Sequence, residues 1–306
     1  METRHIGSLE VSAVGLGCNN FGRRVDEFGT RRVLDAALEA GATFLDTADI
    51  YGGTKSESFM GNALAGRRDR FVLATKFGMK VDEVRHGAKP AYVRKAVEDS
   101  LARLKTDYID LYQLHQPDES TPIAETLAAL DELVKQGKVR EIGCSNFNVT
   151  QLNEANEAVR DGAARFVSVQ NEFSLLHRDP QSGVLAACQE LNLAFLPYFP
   201  LASGLLSGKY RKGTDAPANS RLSGSDQITP QKLDVVEALV AFAEKRGHSI
   251  LELAISWLLA HRSVASVIAG ATSPEQVYAN VKAVGWLLAP EELSAIDVIT
   301  ASMQSA

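Results

Sequence analysis

The feature that most constrains the fold is a repeated alternation. Short runs rich in aliphatic and β-branched residues recur along all 306 residues, and helix-patterned segments separate them. The runs are Val14–Gly17, Thr43–Asp46, Phe71–Lys76, Tyr108–His115, Val139–Cys144, Phe166–Gln170, Ala194–Pro197 and Val264–Ile268. Between them, Val93, Val97, Leu101 and Leu104 step by 4, 4 and 3 residues, and Ile123, Leu127, Leu130 and Val134 step by 4, 3 and 4. Each spacing lays one apolar stripe along a helix. Thr121-Pro122, Thr229-Pro230 and Ser273-Pro274 read as N-caps followed by a first-turn proline. Gln276, three residues after Ser273, predicts a capping box there.

Strands alternating with helices of this length form parallel β-α units. Eight such units predict an α/β protein folded as a closed (β/α)8 barrel of the TIM type, one domain spanning residues 1–306. An open doubly wound sheet produces the same local pattern. Its Gly-x-Gly-x-x-Gly turn is missing, however, because the first strand runs into Gly15-Leu-Gly17-Cys-Asn-Asn20. Two segments lie outside the repeat. Residues 1–12 predict a hairpin across the bottom of the barrel. Residues 203–228 are rich in Gly, Ser, Ala and Pro, lack periodicity and come after the seventh strand, which predicts a long lid over the mouth.

Composition narrows the function classes. With 45% hydrophobic and 23% charged residues the chain is neither disordered nor fibrous. Its net charge of −6 and the absence of an extended basic run argue against nucleic acid or an anionic membrane as partner. Cys18, Cys144 and Cys188 are an odd number without a C-x-x-C pair, which predicts neither a disulfide framework nor a metal site. The first residues, Met1-Glu-Thr-Arg-His5, carry no signal-like apolar core, and no apolar run approaches 18 residues. A cytoplasmic location is the expectation. No exposed apolar stripe predicts a protein partner, and the oligomeric state is not legible.

In such a barrel the chemistry sits at the carboxyl ends of the strands. Here the apolar runs end in Asp46, in Lys76, in His115, in Ser145-Asn146 and in Gln170. Alternation places Val72, Ala74 and Lys76 on one side of their strand, and Ile109, Leu111, Gln113 and His115 on one side of theirs. Tyr51 lies five residues after Asp46, close enough for its hydroxyl to reach the same space. A lysine beside a tyrosine lowers the phenol's pKa, and a carboxylate beside the lysine keeps it charged. The phenol can then give a proton to an oxygen gaining negative charge, with an imidazole N–H sharing that oxygen. Such a site fits carbonyl reduction by a hydride-bearing cofactor.

These stretches resemble the aldo-keto reductase family. The resemblance runs through Gly41-Ala-Thr-Phe-Leu-Asp46-Thr-Ala-Asp-Ile-Tyr51-Gly, Ala74-Thr-Lys76-Phe-Gly and Asp107-Tyr-Ile-Asp-Leu-Tyr-Gln-Leu-His115. It continues through Ile142-Gly-Cys-Ser145-Asn146-Phe, Gly204-Leu-Leu-Ser-Gly-Lys209-Tyr and Gly270-Ala-Thr-Ser-Pro-Glu-Gln-Val-Tyr-Ala-Asn280, covering nearly the whole chain. It is most similar to the bacterial branch that also resembles potassium-channel β subunits. The resemblance implies Tyr51 as general acid, Lys76 and Asp46 tuning it, and His115 positioning the carbonyl. It implies Ser145, Asn146 and Gln170 on a nicotinamide carboxamide and Tyr198 stacked on the ring. Leu201, Gly204, Lys209, Gly270, Thr272, Gln276 and Asn280 would hold the rest of the cofactor.

The cofactor implied is NADPH, with NADH possible, and the substrate a small carbonyl compound. Relatives often place Arg or Lys here, but this chain has neither between Ser263 and Val281, where Gly270, Thr272, Ser273, Gln276 and Asn280 are neutral. Lys209, with Arg211 and Lys212, would compensate at the pyrophosphate. Phe199 departs from the small serine many relatives carry. Phe21, Tyr51, Phe77, Asn19 and Asn20 are candidates for the substrate pocket. Two other readings remain. One is a cofactor-binding regulatory barrel with slow turnover, and the other is an aldolase using Lys76 as a Schiff base. Asp46 disfavours the aldolase, because a carboxylate raises the lysine pKa where that chemistry needs it depressed.

Overall fold

A computed structural model describes residues 1–216, 221–223, 225–226 and 228–303. It opens with β1 (Thr3–Ile6) and β2 (Leu9–Ser12), paired antiparallel with Ile6 opposite Leu9. Gly7, at φ +55°, makes the turn. Then come β3 (Val14–Gly17), α1 (Glu27–Ala40), β4 (Phe44–Asp46), α2 (Lys55–Ala63), β5 (Val72–Phe77) and α3 (Pro90–Leu104). The middle of the chain forms β6 (Ile109–Leu114), α4 (Ile123–Lys135), β7 (Val139–Ser145), α5 (Val149–Glu157), β8 (Phe166–Glu172) and α6 (Val184–Glu190). The chain ends with β9 (Ala194–Tyr198), α7 (Pro230–Glu244), α8 (Ile250–Leu259), β10 (Val267–Gly270), α9 (Pro274–Lys282) and α10 (Pro290–Ile299).

Strands β3 to β10 form one parallel sheet in the order β10-β3-β4-β5-β6-β7-β8-β9. The sheet closes through a strand that serves two neighbours in turn. Phe195 donates its N–H to the Ser263 carbonyl at 2.7 Å and accepts from Ala265 N–H at 3.0 Å, after which Val267–Gly270 pairs with β3. The eighth strand expected at Val264–Ile268 is therefore split, its first part lying against β9 and its regular part shifted towards Gly270. The barrel itself is as expected.

Ile6, Leu9 and Val11 of the hairpin cluster with Phe44, Ala74, Leu111, Leu196 and Ile268, so the hairpin stoppers the barrel from below with apolar side chains. Outside, the stripe Val93, Val97, Leu101, Leu104 is buried against the sheet, as its spacing requires. Thr229 caps α7 by accepting from Lys232 N–H at 3.2 Å. The other two expected caps are not formed. The Thr121 hydroxyl donates instead to Asp118, 2.9 Å away, which gathers the loop before α4. At α9, Gln276 reaches past Ser273 and accepts from Thr272 N–H at 2.8 Å, with no return bond from a cap side chain, so the expected box is absent. Complete boxes stand at Asn148/Gln151 and Ser249/Glu252.

The segment after β9 starts as a kinked turn, Ala202–Ser207, with Ala202, Ser203 and Gly204 at positive φ and Leu205, Leu206, Tyr210 and Leu222 buried. Part of the expected lid, residues 217–220, 224 and 227, lies outside the described residues. Helices α2 and α3 meet at Gly61, where a Cβ would stand 2.3 Å from the Arg103 carbonyl oxygen. Gly61→Ala should therefore cost about 1–3 kcal/mol, the usual range for overpacking. Urea unfolding checks this, and an unchanged midpoint would show that the helices separate freely.

Candidate active site

Four strands change character at the same height. Two residues beyond interior positions, three of them apolar, Phe44 is succeeded by Asp46, Ala74 by Lys76, Leu111 by Gln113 and the small Ser168 by Gln170. The two-residue period keeps each pair on one face, and Lys76 stands opposite Gln113 in register. A carboxylate, an ammonium and two carboxamides thus form a polar layer directly above the apolar one, all four buried.

Burying an ammonium demands that its protons be spent. Lys76 Nζ donates to Asp46 Oδ2 at 2.7 Å, to the Thr47 carbonyl at 2.8 Å and to the Tyr51 hydroxyl oxygen at 3.4 Å. Asp46 Oδ1 accepts from Gln113 Nε2 at 3.1 Å and from Gln170 Nε2 at 2.9 Å. Burial alone would pull the Lys76 pKa down, but Asp46 and then Tyr51 lift it above the ordinary lysine range. The ammonium is permanent. Because the Tyr51 oxygen accepts from Lys76, its own O–H is left to point elsewhere.

One expectation is corrected here. The Tyr51 pKa is raised, not lowered, because burial outweighs the opposing pull of Lys76. The lysine limits the rise. His115 closes the group, its ring edge-on to that of Tyr51 with centroids 5.8 Å apart. Burial, and secondarily Lys76, push its pKa down to about 3, so the imidazole is neutral at physiological pH. Its Nδ1 is buried with no partner among the described residues.

Above this layer opens a cleft of about 710 Å³, lined by every residue named as a cofactor candidate except Arg211 and Lys212. Ser145 donates to the Gln170 carbonyl at 2.7 Å. Asn146 adopts φ +63°, a conformation asparagine tolerates. Its Nδ2 donates to the His115 carbonyl at 2.9 Å, and its Oδ1 accepts from the Tyr198 hydroxyl at 2.9 Å. The Gln170 amide nitrogen is committed to Asp46, a bond its expected role on a carboxamide did not include. Leu201, Gly204 and Lys209 reach the cleft from beyond β9, and Gly270, Thr272, Gln276 and Asn280 from the β10–α9 junction. Arg211 and Lys212 do not line it, being held by Glu237 and Asp234 of α7.

Among the substrate candidates, Tyr51, Asn19 and Asn20 line the cleft. Phe21 and Phe77 are fully buried elsewhere, Phe77 stacked on Tyr112 at 4.7 Å. The structure adds residues that sequence reasoning missed. Gln113 holds Asp46, and its place on the inward face with Lys76 and His115 was the available signal. Arg24 and Arg221 both reach the cleft from distant loops. The Arg221 guanidinium lies 4.9 Å from the centre of the Phe199 ring, which gives that residue a supporting role. Burial, then Arg24 and Arg23, pull the Arg221 pKa down, the mark of clustered like charges.

The family model described as "Aldo/keto reductase family" matches residues 13–301. The chain belongs to the aldo-keto reductase family. Aldo-keto reductase YhdN of Bacillus subtilis is 34% identical over 304 residues, covering 95% of this chain and 90% of that protein. Uncharacterized oxidoreductase YqkF of the same organism is 35% identical, covering 97% and 95%. Among solved structures, the holo form of aldo-keto reductase AKR11C1 from Bacillus halodurans superposes with a TM-score of 0.82 at 36% identity, covering 98% of this chain and 96% of that one. Glycerol dehydrogenase AKR11B4 from Gluconobacter oxydans gives a TM-score of 0.86 at 32% identity, covering 98% and 95%.

In this aldo-keto reductase the Lys76–Asp46 pair is the energetic centre of the site. Lys76→Met leaves the Asp46 charge buried with only two amides, and should cost about 3–5 kcal/mol of stability. Chemical denaturation at neutral pH measures it. A loss below about 1 kcal/mol would mean that water replaces the ammonium.

Proposed function

We propose that this protein reduces an aldehyde or ketone to the alcohol, with the hydride from NADPH and the proton from Tyr51. One observation carries the reading. The Tyr51 oxygen accepts a hydrogen bond from a permanent ammonium, so the phenol proton is free for an acceptor in the cleft. A carbonyl oxygen placed there takes that proton as its charge grows. The phenolate left behind faces the Lys76 ammonium, and the Asp46, Gln113 and Gln170 contacts keep that ammonium in place. Neutral His115 shares the same oxygen through a ring N–H. When bound, the reduced nicotinamide supplies the hydride.

The cleft suits a phosphorylated dinucleotide by its donors. Ser145, Asn146 and the free Gln170 oxygen answer a carboxamide at one end, and hydroxyl and amide groups of Thr272, Gln276 and Asn280 lie at the other. Lys209, Arg24 and Arg221 are the cations among the described lining residues, while Asp46 is the one carboxylate and is neutralised by Lys76. Clustered arginines gain most from a phosphate dianion, which favours NADPH over NADH. A cytoplasmic setting fits the three buried, unpaired thiols. No helix among the described residues is long and apolar enough to cross a membrane.

Tyr51→Phe should lower turnover on reactive aldehydes by roughly two to four orders of magnitude, the span of general-acid contributions, with NADPH affinity little changed. NADPH consumption across an aldehyde panel, beside fluorescence titration of the cofactor, measures both. Near-normal turnover in the variant would overturn the assignment. Tight NADPH binding with no turnover on any carbonyl would favour a regulatory barrel. Arg221→Gln should weaken NADPH by roughly tenfold or more, the loss of one charge-assisted contact, and leave NADH nearly unaffected. Equal losses for both cofactors would remove Arg221 from the phosphate.

A further inference from the structure

Behind the Tyr51 loop lies a second buried polar cluster that the reaction above does not use. Asp49 stands two residues before Tyr51, and its backbone N–H donates to the Lys76 carbonyl at 3.0 Å. Loop and β5 are stitched together at that point. The Asp49 carboxyl does not line the cleft. It faces Glu57 of α2, Tyr92 and Arg103 of α3 and Tyr112 of β6.

This cluster holds two carboxyl groups and one cation, and the cation is taken. Arg103 donates Nε to Glu57 Oε2 at 2.6 Å and Nη2 to Ser100 at 3.2 Å. Thr75 donates its hydroxyl to Glu57 Oε1 at 2.6 Å. Glu57 is thus satisfied at both oxygens. Asp49 receives the Tyr92 hydroxyl at 3.5 Å, too long for a good bond between oxygens, and a weak pull from the Ile50 backbone N–H. Its Oδ1 has no partner among the described residues, and neither has the buried Tyr112 hydroxyl. A second negative charge here would be desolvated and next to a carboxylate, so the stable form is the acid. Burial, then Glu57, push the Asp49 carboxyl up to about 7, against a weaker pull from Arg103.

We propose that Asp49 is a positioning residue whose protonated carboxyl seats the Tyr51 loop against α2 and α3, and whose ionisation loosens that seat and lowers turnover. The effect on turnover rests on the carbonyl-reductase reading; the seating does not. A charge forced into this cluster is relieved by admitting water or moving the loop. The same loop carries Tyr51, and its Asp49 N–H is bonded to the residue that orients the phenol.

The pH profile tests the proposal. Titration of one group near 7 should cost the wild type roughly tenfold in kcat from about pH 6 to about pH 8, with the carbonyl KM unchanged. Asp49→Asn, neutral at every pH, should flatten that limb. Glu57→Gln removes the neighbouring charge and frees Arg103, which lowers the Asp49 pKa and should move the limb to lower pH. An unaltered limb in either folded variant overturns the proposal.

Amide hydrogen exchange gives a readout that needs no turnover. After correction for intrinsic rates, protection of residues 47–54 should fall across the same pH range in the wild type and hold in Asp49→Asn. Equal behaviour of the two proteins overturns the seating even if carbonyl turnover is found. A difference sustains it even if no carbonyl is reduced. Stability has a fixed sign as well. A carboxyl raised from 3.8 to about 7 destabilises the fold progressively between those values and fully above them. Asp49→Asn should therefore melt higher than wild type at about pH 8, and an equal or lower Tm there counts against a neutral Asp49.

Discussion

An ammonium with no exposure to water organises this barrel. Lys76 has 0% of its surface exposed, and desolvating such a charge costs several kcal/mol unless partners replace the water. Its three protons go to three acceptors supplied by Asp46, Thr47 and Tyr51. Asp46 in turn needs Gln113 and Gln170. The demand spreads from β5 to β4, β6 and β8. A one-residue slip of any of these strands would turn its polar group away from the axis and leave the others unpaired. The polar layer therefore fixes strand register as well as chemistry. The layer below it, built from Phe44, Ala74, Leu111 and Ser168, holds no charge whose burial demands particular partners.

Charge is distributed against the average of the chain. The protein carries a net −6, yet the described lining of the cleft holds three cations and a single carboxylate whose charge is cancelled. On the far side of the Tyr51 loop the balance reverses, with Asp49 and Glu57 sharing Arg103. The loop thus separates a site that attracts anions from a pocket that must shed one negative charge. A positive cleft in a negative surface also focuses the field on an anionic ligand at its mouth.

Much of this was legible in the amino acids, and the exceptions have physical reasons. The barrel and its lower hairpin are dictated by strict local periodicity. Asp46, Lys76 and His115 are marked by polar side chains at strand ends, with Tyr51 five residues beyond the first of them. Phe77 was misplaced although the signal existed, because the alternation that turns Lys76 inward turns its neighbour outward against Tyr112. The split eighth strand was hidden because pairing with two different neighbours leaves no trace in hydropathy. Arg24 and Arg221 carry no local mark either, and only closure of the sheet brings their loops together. The rise in the Tyr51 pKa depends on burial depth, and no motif encodes that.

The two jobs of the mouth fall on different parts of the barrel. Asp46, Tyr51, Lys76 and His115 come from β4, β5, β6 and the residues just after them. The cleft that would receive a large ligand is built mainly by the loops and turns leaving β3, β9 and β10. These three strands are neighbours in the sheet, since the seam joins the last to the first. The cleft lining is thus assembled mainly from loops after β3, β9 and β10, and the Asp46–Tyr51–Lys76–His115 group from the segment between them. On the proposed function, a descendant sequence can exchange those loops, and with them its choice of ligand, while inheriting the buried polar layer untouched. That separation turns one scaffold into a platform for divergence.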